Sequence, residues 1–357
     1  MPPHERQRVF IESLPLWAGS SNVVAKLKEI VANSHIDQRF TVLPVPFDTP
    51  TERGYYRLGA LPTTGERMKT YQREAPRLAV TTLDLLRQEA GSLAGVTHLI
   101  VTSCTGFYAP GLDVDIVREC GLSPKVQRTL IGFMGCHAAL VGLRSAKQIV
   151  EADPEAMVLM VNLELCSLHL QQTDRMDRLV SFVLFSDGCA ASLITARSEG
   201  LRIDSCTSHL SLADAERMAW HIEDSGFAMT LDAGLPARIR KWFRSSVELS
   251  KPEAAKLWAV HPGGRLILDS LQSVCGLSDE QMSFSRDVLR RYGNMSSASV
   301  MFVLRELMRA HAETAEPLPG RAIAFGPGLT VETLDFTAVR ARPRPSHLAS
   351  VSELISV

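Results

Sequence analysis

The chain has no apolar run approaching the roughly 18 residues that a membrane-spanning helix requires. Its first residues, Met1-Pro-Pro-His-Glu-Arg-Gln-Arg8, lead into no long apolar region of the kind a secretory leader carries. A cytoplasmic address is the expectation. Neither charge is in excess: 38 Lys and Arg stand against 39 Asp and Glu, which disfavours a polyanionic partner and with it nucleic-acid binding. The 7 cysteines (104, 120, 136, 166, 189, 206 and 275) are odd in number, widely spread and without a Cys-x-x-Cys pair. That pattern fits reduced thiols rather than a disulfide framework or a zinc site, so no metal is expected. No internal repeat is visible.

What is present is an ordinary globular composition, 45% hydrophobic over 357 residues, enough to bury a sizeable core in one two-lobed unit or two domains. Apolar runs at Thr97–Thr102, Met157–Val161, Lys256–Val260 and Arg321–Phe325 read as buried strands, and helical patterns over residues 78–91, 138–150, 233–248 and 297–311 lie among them. Such alternation predicts an α/β layered fold. A seam is expected near Ala196-Arg-Ser-Glu-Gly200, where polar residues follow the apolar stretch Cys189–Ile194.

Cys136 carries the most chemistry. From it onward Ala139, Leu143, Ala146 and Val150 recur at helical spacing, and Asp153-Pro154 ends the pattern. A thiol at a helix N-terminus meets unpaired N–H groups and the positive end of the macrodipole, which predicts a lowered pKa and a nucleophile. The plainer alternative is a buried structural cysteine. Two further stretches bear on the choice: Val260-His261-Pro-Gly-Gly264, a strand running into a histidine and a Gly-rich turn, and Tyr292-Gly-Asn294-Met-Ser-Ser297, an Asn ahead of a helix start. Singly, His261 reads as a core histidine and Asn294 as a helix cap.

Together, Gly135-Cys136, His261-Pro-Gly-Gly264, Gly293-Asn-Met-Ser-Ser-Ala298 and Phe325-Gly-Pro-Gly-Leu-Thr-Val-Glu-Thr333 resemble, in order and in the His-to-Asn spacing, the type III polyketide synthases of the chalcone and stilbene synthase superfamily. The resemblance runs from about residue 32 to 337. It implies a thiolase-like α/β fold of two similar halves in an αβαβα arrangement, divided as residues 1–196 with the cysteine and 197–339 with the His and Asn. Residues 340–357, Ser-rich after Arg-Ala-Arg-Pro-Arg-Pro, read as a flexible tail. It further implies a homodimeric acyltransferase that loads an acyl-CoA starter on Cys136, extends it by decarboxylative condensation with malonyl-CoA and cyclises the product, with no cofactor beyond the CoA thioesters. His261 and Asn294 then act beside Cys136, His261 as an imidazolium that holds the sulfur in its anionic form. Phe185 gates the cavity, and Gly326, Pro327 and Gly328 scaffold it.

Relative to the plant pattern, Trp220 falls where a small glycine is expected and Met229 where a phenylalanine is, and the indole is expected to shrink or redirect the cavity. Thr102-Ser-Cys104 and Glu164-Leu-Cys166 have the look of bacterial members and place Cys104, Cys166 and His169 at the cavity wall. Ala109-Pro110 aligns with a dipeptide that reaches the neighbouring subunit. At the CoA entrance the basic cluster survives as Lys26 alone, with Glu29 and Asn33 at the other positions, and Arg265 follows Gly263 and Gly264, where it reads either as a phosphate contact or as a solvated side chain. Two other readings are a ketoacyl synthase III-like condensing enzyme, against which His261-Pro-Gly-Gly264 and Phe325-Gly-Pro-Gly328 argue, and a non-catalytic CoA- or acyl-binding homologue, against which the intact trio argues.

Overall fold

A computed structural model describes residues 14–15, 17–44, 54–57, 60–197, 199–246, 255–312 and 316–339, so the tail from 340 lies outside the described residues. The first half of the chain builds helices α1 (Ser21–Ala32), α2 (Thr64–Ala90), α3 (Leu112–Glu119), α4 (Ala138–Ala152) and α5 (Met176–Leu184) around strands β1 (His98–Ser103), β2 (Gln127–Gly132), β3 (Val158–Glu164) and β4 (Gly188–Ile194). The second half adds β5 (Gly200–Leu210), β6 (Met218–Glu223), β7 (Gly226–Leu231), α6 (Leu235–Ser245), β8 (Leu257–Val260), α7 (Arg265–Cys275), α8 (Asp279–Tyr292), α9 (Ser297–Ala310), β9 (Leu318–Gly326) and β10 (Thr330–Val339). One sheet has the order β2-β1-β3-β4, the second β5-β10-β9-β8, and β6 and β7 form a separate hairpin.

The apolar runs are strands because both faces of each sheet are covered. Successive side chains point to opposite faces: on β1 and β3, Leu99, Val101, Leu159, Val161 and Leu163 pack outward with α2, while Ile100, Val158 and Met160 face the centre. There they meet Leu140, Leu143 and Ala146 of α4, Val300, Val303 and Leu307 of α9, and Ala322, Ala324, Leu334 and Phe336 of the other sheet. On that sheet's far face, Val260, Ile323 and Phe325 pack with Ile239 and Phe243 of α6 and Leu268 and Leu271 of α7. The layers therefore run helix, sheet, α4 with α9, sheet, helix.

The halves repeat one topology, as the resemblance implies, although no internal repeat is visible in the residues. In each, a parallel pair (β1 with β3; β8 with β9) is followed by an antiparallel neighbour (β4; β10), and a central helix precedes the second strand (α4; α9). Equivalent places therefore carry the candidate chemistry: Cys104 follows β1 as His261 follows β8, and Cys136 precedes α4 as Asn294 precedes α9. Residues 195–199 link β4 to β5.

Helix α2 begins far earlier than its periodicity suggests, at a capping box in which Thr63 and Glu66 satisfy each other's backbone N–H groups. Its buried face is written in Arg67, Thr70, Tyr71 and Ala75 and it contains Pro76, so no apolar stripe marks the first turns. The stripe on α4 is as expected, and the half-buried Arg144 beside it pairs with the buried Glu332 of β10 at 2.6 Å. Among the described residues no helix is long and apolar enough to cross a membrane.

Candidate active site

Cys136 does not itself open an α-helix. It lies in a 3₁₀ turn, Gly135–His137, that feeds α4 at Ala138, and it is 6% exposed. The strand-to-turn passage is strained at Phe133, held at φ +56°, while Gly135 takes φ +76° as only glycine does freely. Ser296 and Leu329, at φ +48° and +41°, are two more non-glycine residues held in that region nearby, beside Asn294 and the Gly326–Gly328 segment. Strain of this kind persists only where the surroundings over-determine it, and it concentrates at functional sites.

Ser296 and Asn294 are the polar groups that act on the Cys136 thiol, both favouring its charged form. Asn294 is held on all sides. Its N–H donates to Leu184 O (2.9 Å), its carbonyl accepts from Ser186 N–H (2.8 Å), and its Oδ1 accepts from Ser296 N–H (2.9 Å). Its Nδ2 reaches Gly263 O at 3.4 Å, which ties it to the turn carrying His261. Those backbone bonds set Phe185 alongside Asn294 as well. His261 continues β8, its N–H donating to Ile323 O (2.8 Å); the ring is buried and neither nitrogen has a protein partner.

Electrostatics overturn one expectation. The helix start was expected to lower the thiol pKa; instead burial pushes Cys136 up to about 12, with hydrogen bonds from Ser296 and Asn294 only partly offsetting it. His261 is likewise pushed down to about 3, by burial first and with His137 as a second cause. Desolvation disfavours charge on either partner and here outweighs the local dipole.

Glu164, at the end of β3, is a site residue that sequence reasoning missed. It is fully buried, and its carboxylate accepts from Ser297 Oγ (2.7 Å), Cys104 N–H (3.0 Å) and Thr105 Oγ1 (3.0 Å), joining the segments that flank Cys136. The available signal was an acid closing an otherwise uncharged buried strand. Burial raises its pKa from 4.5 to about 7, and those hydrogen bonds pull the other way. Because the folded-state value is the higher, the associated stability, about 3 kcal/mol, is complete below about pH 4.5 and lost as pH rises through about 7. The buried histidines act oppositely below about pH 6.5, so the comparison with Glu164→Gln isolates the effect. Urea denaturation at pH 5 and pH 8 should show the wild type losing about 3 kcal/mol more than the variant; parallel losses would mean Glu164 does not titrate in this range.

The predicted wall residues assemble beside this centre. Cys104 Sγ accepts from Gly135 N–H (2.9 Å), and Cys104 O accepts from Trp220 Nε1 (2.8 Å). His169 Nε2 bonds Thr105 O (2.8 Å) and Nδ1 accepts from Phe227 N–H (3.0 Å), which makes the ring a neutral, saturated spacer; burial holds its pKa down at about 3. His169 stacks on Phe227 at 4.3 Å, and Trp220 stands edge-on to both. Met229 lies opposite Trp220 in the β6–β7 hairpin. Cys166 opens a 3₁₀ turn that ends at His169, and burial pushes its thiol well up. All seven cysteines are free.

At the proposed CoA entrance Lys26 is exposed on α1. Arg265 opens α7 and is not freely solvated: its Nε donates to Asn33 O (2.7 Å) and its Nη1 pairs with Asp269 (3.4 Å), joining α7 to the end of α1. Ala109-Pro110 is exposed and its peptide bond is cis.

This layered fold, with a buried cysteine at a central helix and an Asn at its pseudo-equivalent, matches one family over most of the chain. Residues 18–198 match the N-terminal domain of chalcone and stilbene synthases and residues 205–340 the C-terminal domain. The chain belongs to that family and is a type III polyketide synthase of the bacterial type, an acyltransferase. It is 35% identical over 299 residues to the "Alpha-pyrone synthesis polyketide synthase-like Pks18" of Mycobacterium tuberculosis (strain ATCC 25618 / H37Rv), covering 78% of this chain and 74% of the relative. Among solved structures it is similar to PKS-I from the brown alga Ectocarpus siliculosus (TM-score 0.85, 30% identity, 94% of each chain covered). It is also similar to 1,3,6,8-tetrahydroxynaphthalene synthase from Streptomyces coelicolor A3(2) (TM-score 0.84, 27% identity, 96% of each chain covered).

Proposed function

We propose that Cys136 carries the growing acyl chain and that His261 and Asn294 stabilise the enolate of malonyl-CoA. The observation that carries this reading is Asn294, whose amide bonds the His261–Gly263 turn and acts on the Cys136 thiol, so that one side chain links the two segments. Since burial opposes a lone charge on either group, thiolate and imidazolium form together, by proton transfer from Cys136 to His261 as the starter thioester arrives. The sulfur attacks the acyl-CoA carbonyl, an S–acyl bond forms, the bond to the CoA sulfur breaks, and the proton leaves with CoA. With His261 neutral again, one ring N–H and the Asn294 amide are donors for the oxygen that becomes negative as malonyl-CoA loses CO₂. The carbanion attacks the Cys136 thioester, releasing the sulfur and giving a 3-ketoacyl-CoA that reloads or cyclises.

On this reading the indole of Trp220, pinned by Cys104 O and by His169 and Phe227, bounds the cavity, with Phe185 between it and a CoA tunnel near Lys26 and Arg265. Mass spectrometry of products from malonyl-CoA with starters from acetyl to palmitoyl tests it. Trp220→Gly should shift the ratio of longer to shorter products by about tenfold, the scale at which pockets discriminate methylene-sized differences. An unchanged product spectrum would show that the indole does not limit the chain.

The homodimer belongs to the same proposal. Strand β2 is the outer strand of its sheet, and Gln127, Arg128, Thr129 and Leu130 are all exposed, Leu130 at 49% and nearby Met134 at 37%. An unprotected edge of this kind is a template for pairing with a second copy. A single 39.2 kDa species in sedimentation equilibrium would exclude it.

A further inference from the structure

The turn holding Cys136 and the Gly326–Gly328 segment interlock. A Cβ on Gly135 would lie 2.2 Å from Pro327 Cδ, and a Cβ on Gly326 would lie 2.0 Å from His137 Nδ1 and 3.0 Å from Met134 O. Each segment thus inserts a ring where the other has no side chain: Pro327 against Gly135, and the His137 imidazole against Gly326. The Pro327 ring has no rotamer to move to, and a Cβ on Gly326 would meet the Met134 carbonyl at 3.0 Å as well as the His137 ring, so these contacts relax only if the segments shift.

His137 is the unexplained member. It is 2% exposed, and neither ring nitrogen has a hydrogen-bond partner. A buried imidazole without partners costs stability. Its ring is therefore held by shape alone, and the surface that shapes it is the end of β9. The ionisable groups acting on it are Arg144, two turns along α4 and itself paired with Glu332, and His261 across the site. Burial and Arg144 hold its pKa at about 4, so it is neutral over the working range.

We propose that His137 is a positioning residue: its ring, seated on Gly326, locks the Gly135–His137 turn to the Gly326–Pro327 segment and so fixes where the Cys136 sulfur stands relative to Asn294 and Ser296. The inference rests on Cys136 as the acylated thiol. It assigns the segment that scaffolds the cavity a second task, holding the nucleophile, so that a change at β9 is felt in the acylation step.

The test is a double-mutant cycle in the full chain, with Cys136 acylation by acetyl-CoA followed by peptide mass spectrometry. Gly326→Ala should slow acylation about 10²-fold, the cost of roughly 1 Å of misplacement, while KM for acetyl-CoA stays within about threefold. His137→Ala, which removes the obstructing ring, should slow it about tenfold, and the double variant should return to within about threefold of His137→Ala alone. A merely structural role would lower the melting temperature without that rescue. The proposal is overturned if the double variant is as slow as Gly326→Ala, or if Gly326→Ala acylates at the wild-type rate. Should Gly326→Ala fail to fold, a folded and acylating double variant supports the interlock, and an unfolded one overturns it. Absence of acylation in the wild type with any starter would instead sink the role given to Cys136.

Discussion

Cys136→Ala is expected to abolish starter-dependent elongation, by at least about 10⁴-fold, while decarboxylation of malonyl-CoA persists within about tenfold of wild type. The two outcomes separate because the two steps use different groups. Elongation needs a covalent thioester, and alanine offers no sulfur to form one. Decarboxylation needs donors for the enolate oxygen, and these sit on the His261 turn and the Asn294 loop. Asn294 is held there by backbone bonds to Leu184 and Ser186 that do not involve Cys136. Release of ¹⁴CO₂ from labelled malonyl-CoA and mass spectrometry of products measure the two in one sample. Full elongation by the variant would refute the role assigned to the cysteine, and wild-type protein that releases no ¹⁴CO₂ with any starter would refute the condensing reaction.

The second large effect is read in that same background. Adding Asn294→Ala to Cys136→Ala should cut the residual ¹⁴CO₂ release by about 10²–10³-fold, or about 2.7–4 kcal/mol, the usual loss of one oxyanion donor. Measured in the wild-type chain, Asn294→Ala would confound two losses, since the amide also favours the anionic form of the thiol that must be loaded. Without the thiol, the donor to the developing enolate is lost together with the amide's bonds to Gly263 O and Ser296 N–H, so Asn294→Asp, which keeps the Oδ1 acceptor for Ser296, is measured alongside. Decarboxylation unaffected by the second substitution would leave Asn294 a structural cap, the plainer of its two sequence readings.

Much of the fold was legible locally. The strands around Ile100, Met160, Val260 and Ile323 and the helix from Ala138 lie where apolar period and stop signals put them, because those residues are buried and burial enforces period. Helix α2 was half missed because its inner face is built from Arg67, Thr70 and Tyr71, whose burial depends on distant partners: Arg67 Nη1 donates to Leu168 O and Leu170 O. The duplication of β1-α4-β3-β4 as β8-α9-β9-β10 was legible through the family resemblance and not in the residues themselves, since equivalent positions such as Cys104 and His261 share a place and not a residue type.

By itself the sequence determined the order and identity of the chemical groups: a cysteine ahead of a central helix, a histidine at a strand end, an asparagine ahead of a second helix, and family motifs around each. Those are one-dimensional facts, fixed by neighbours a few residues apart. Only the tertiary structure decided what surrounds them. It put Glu164 beneath Cys104 and Ser297, locked Trp220 to the Cys104 carbonyl, seated His137 on Gly326, and reversed the predicted direction of the Cys136 pKa. The physical reason is that dipoles and caps are written in adjacent residues, whereas desolvation and close contact arise only when segments far apart in the chain are packed together.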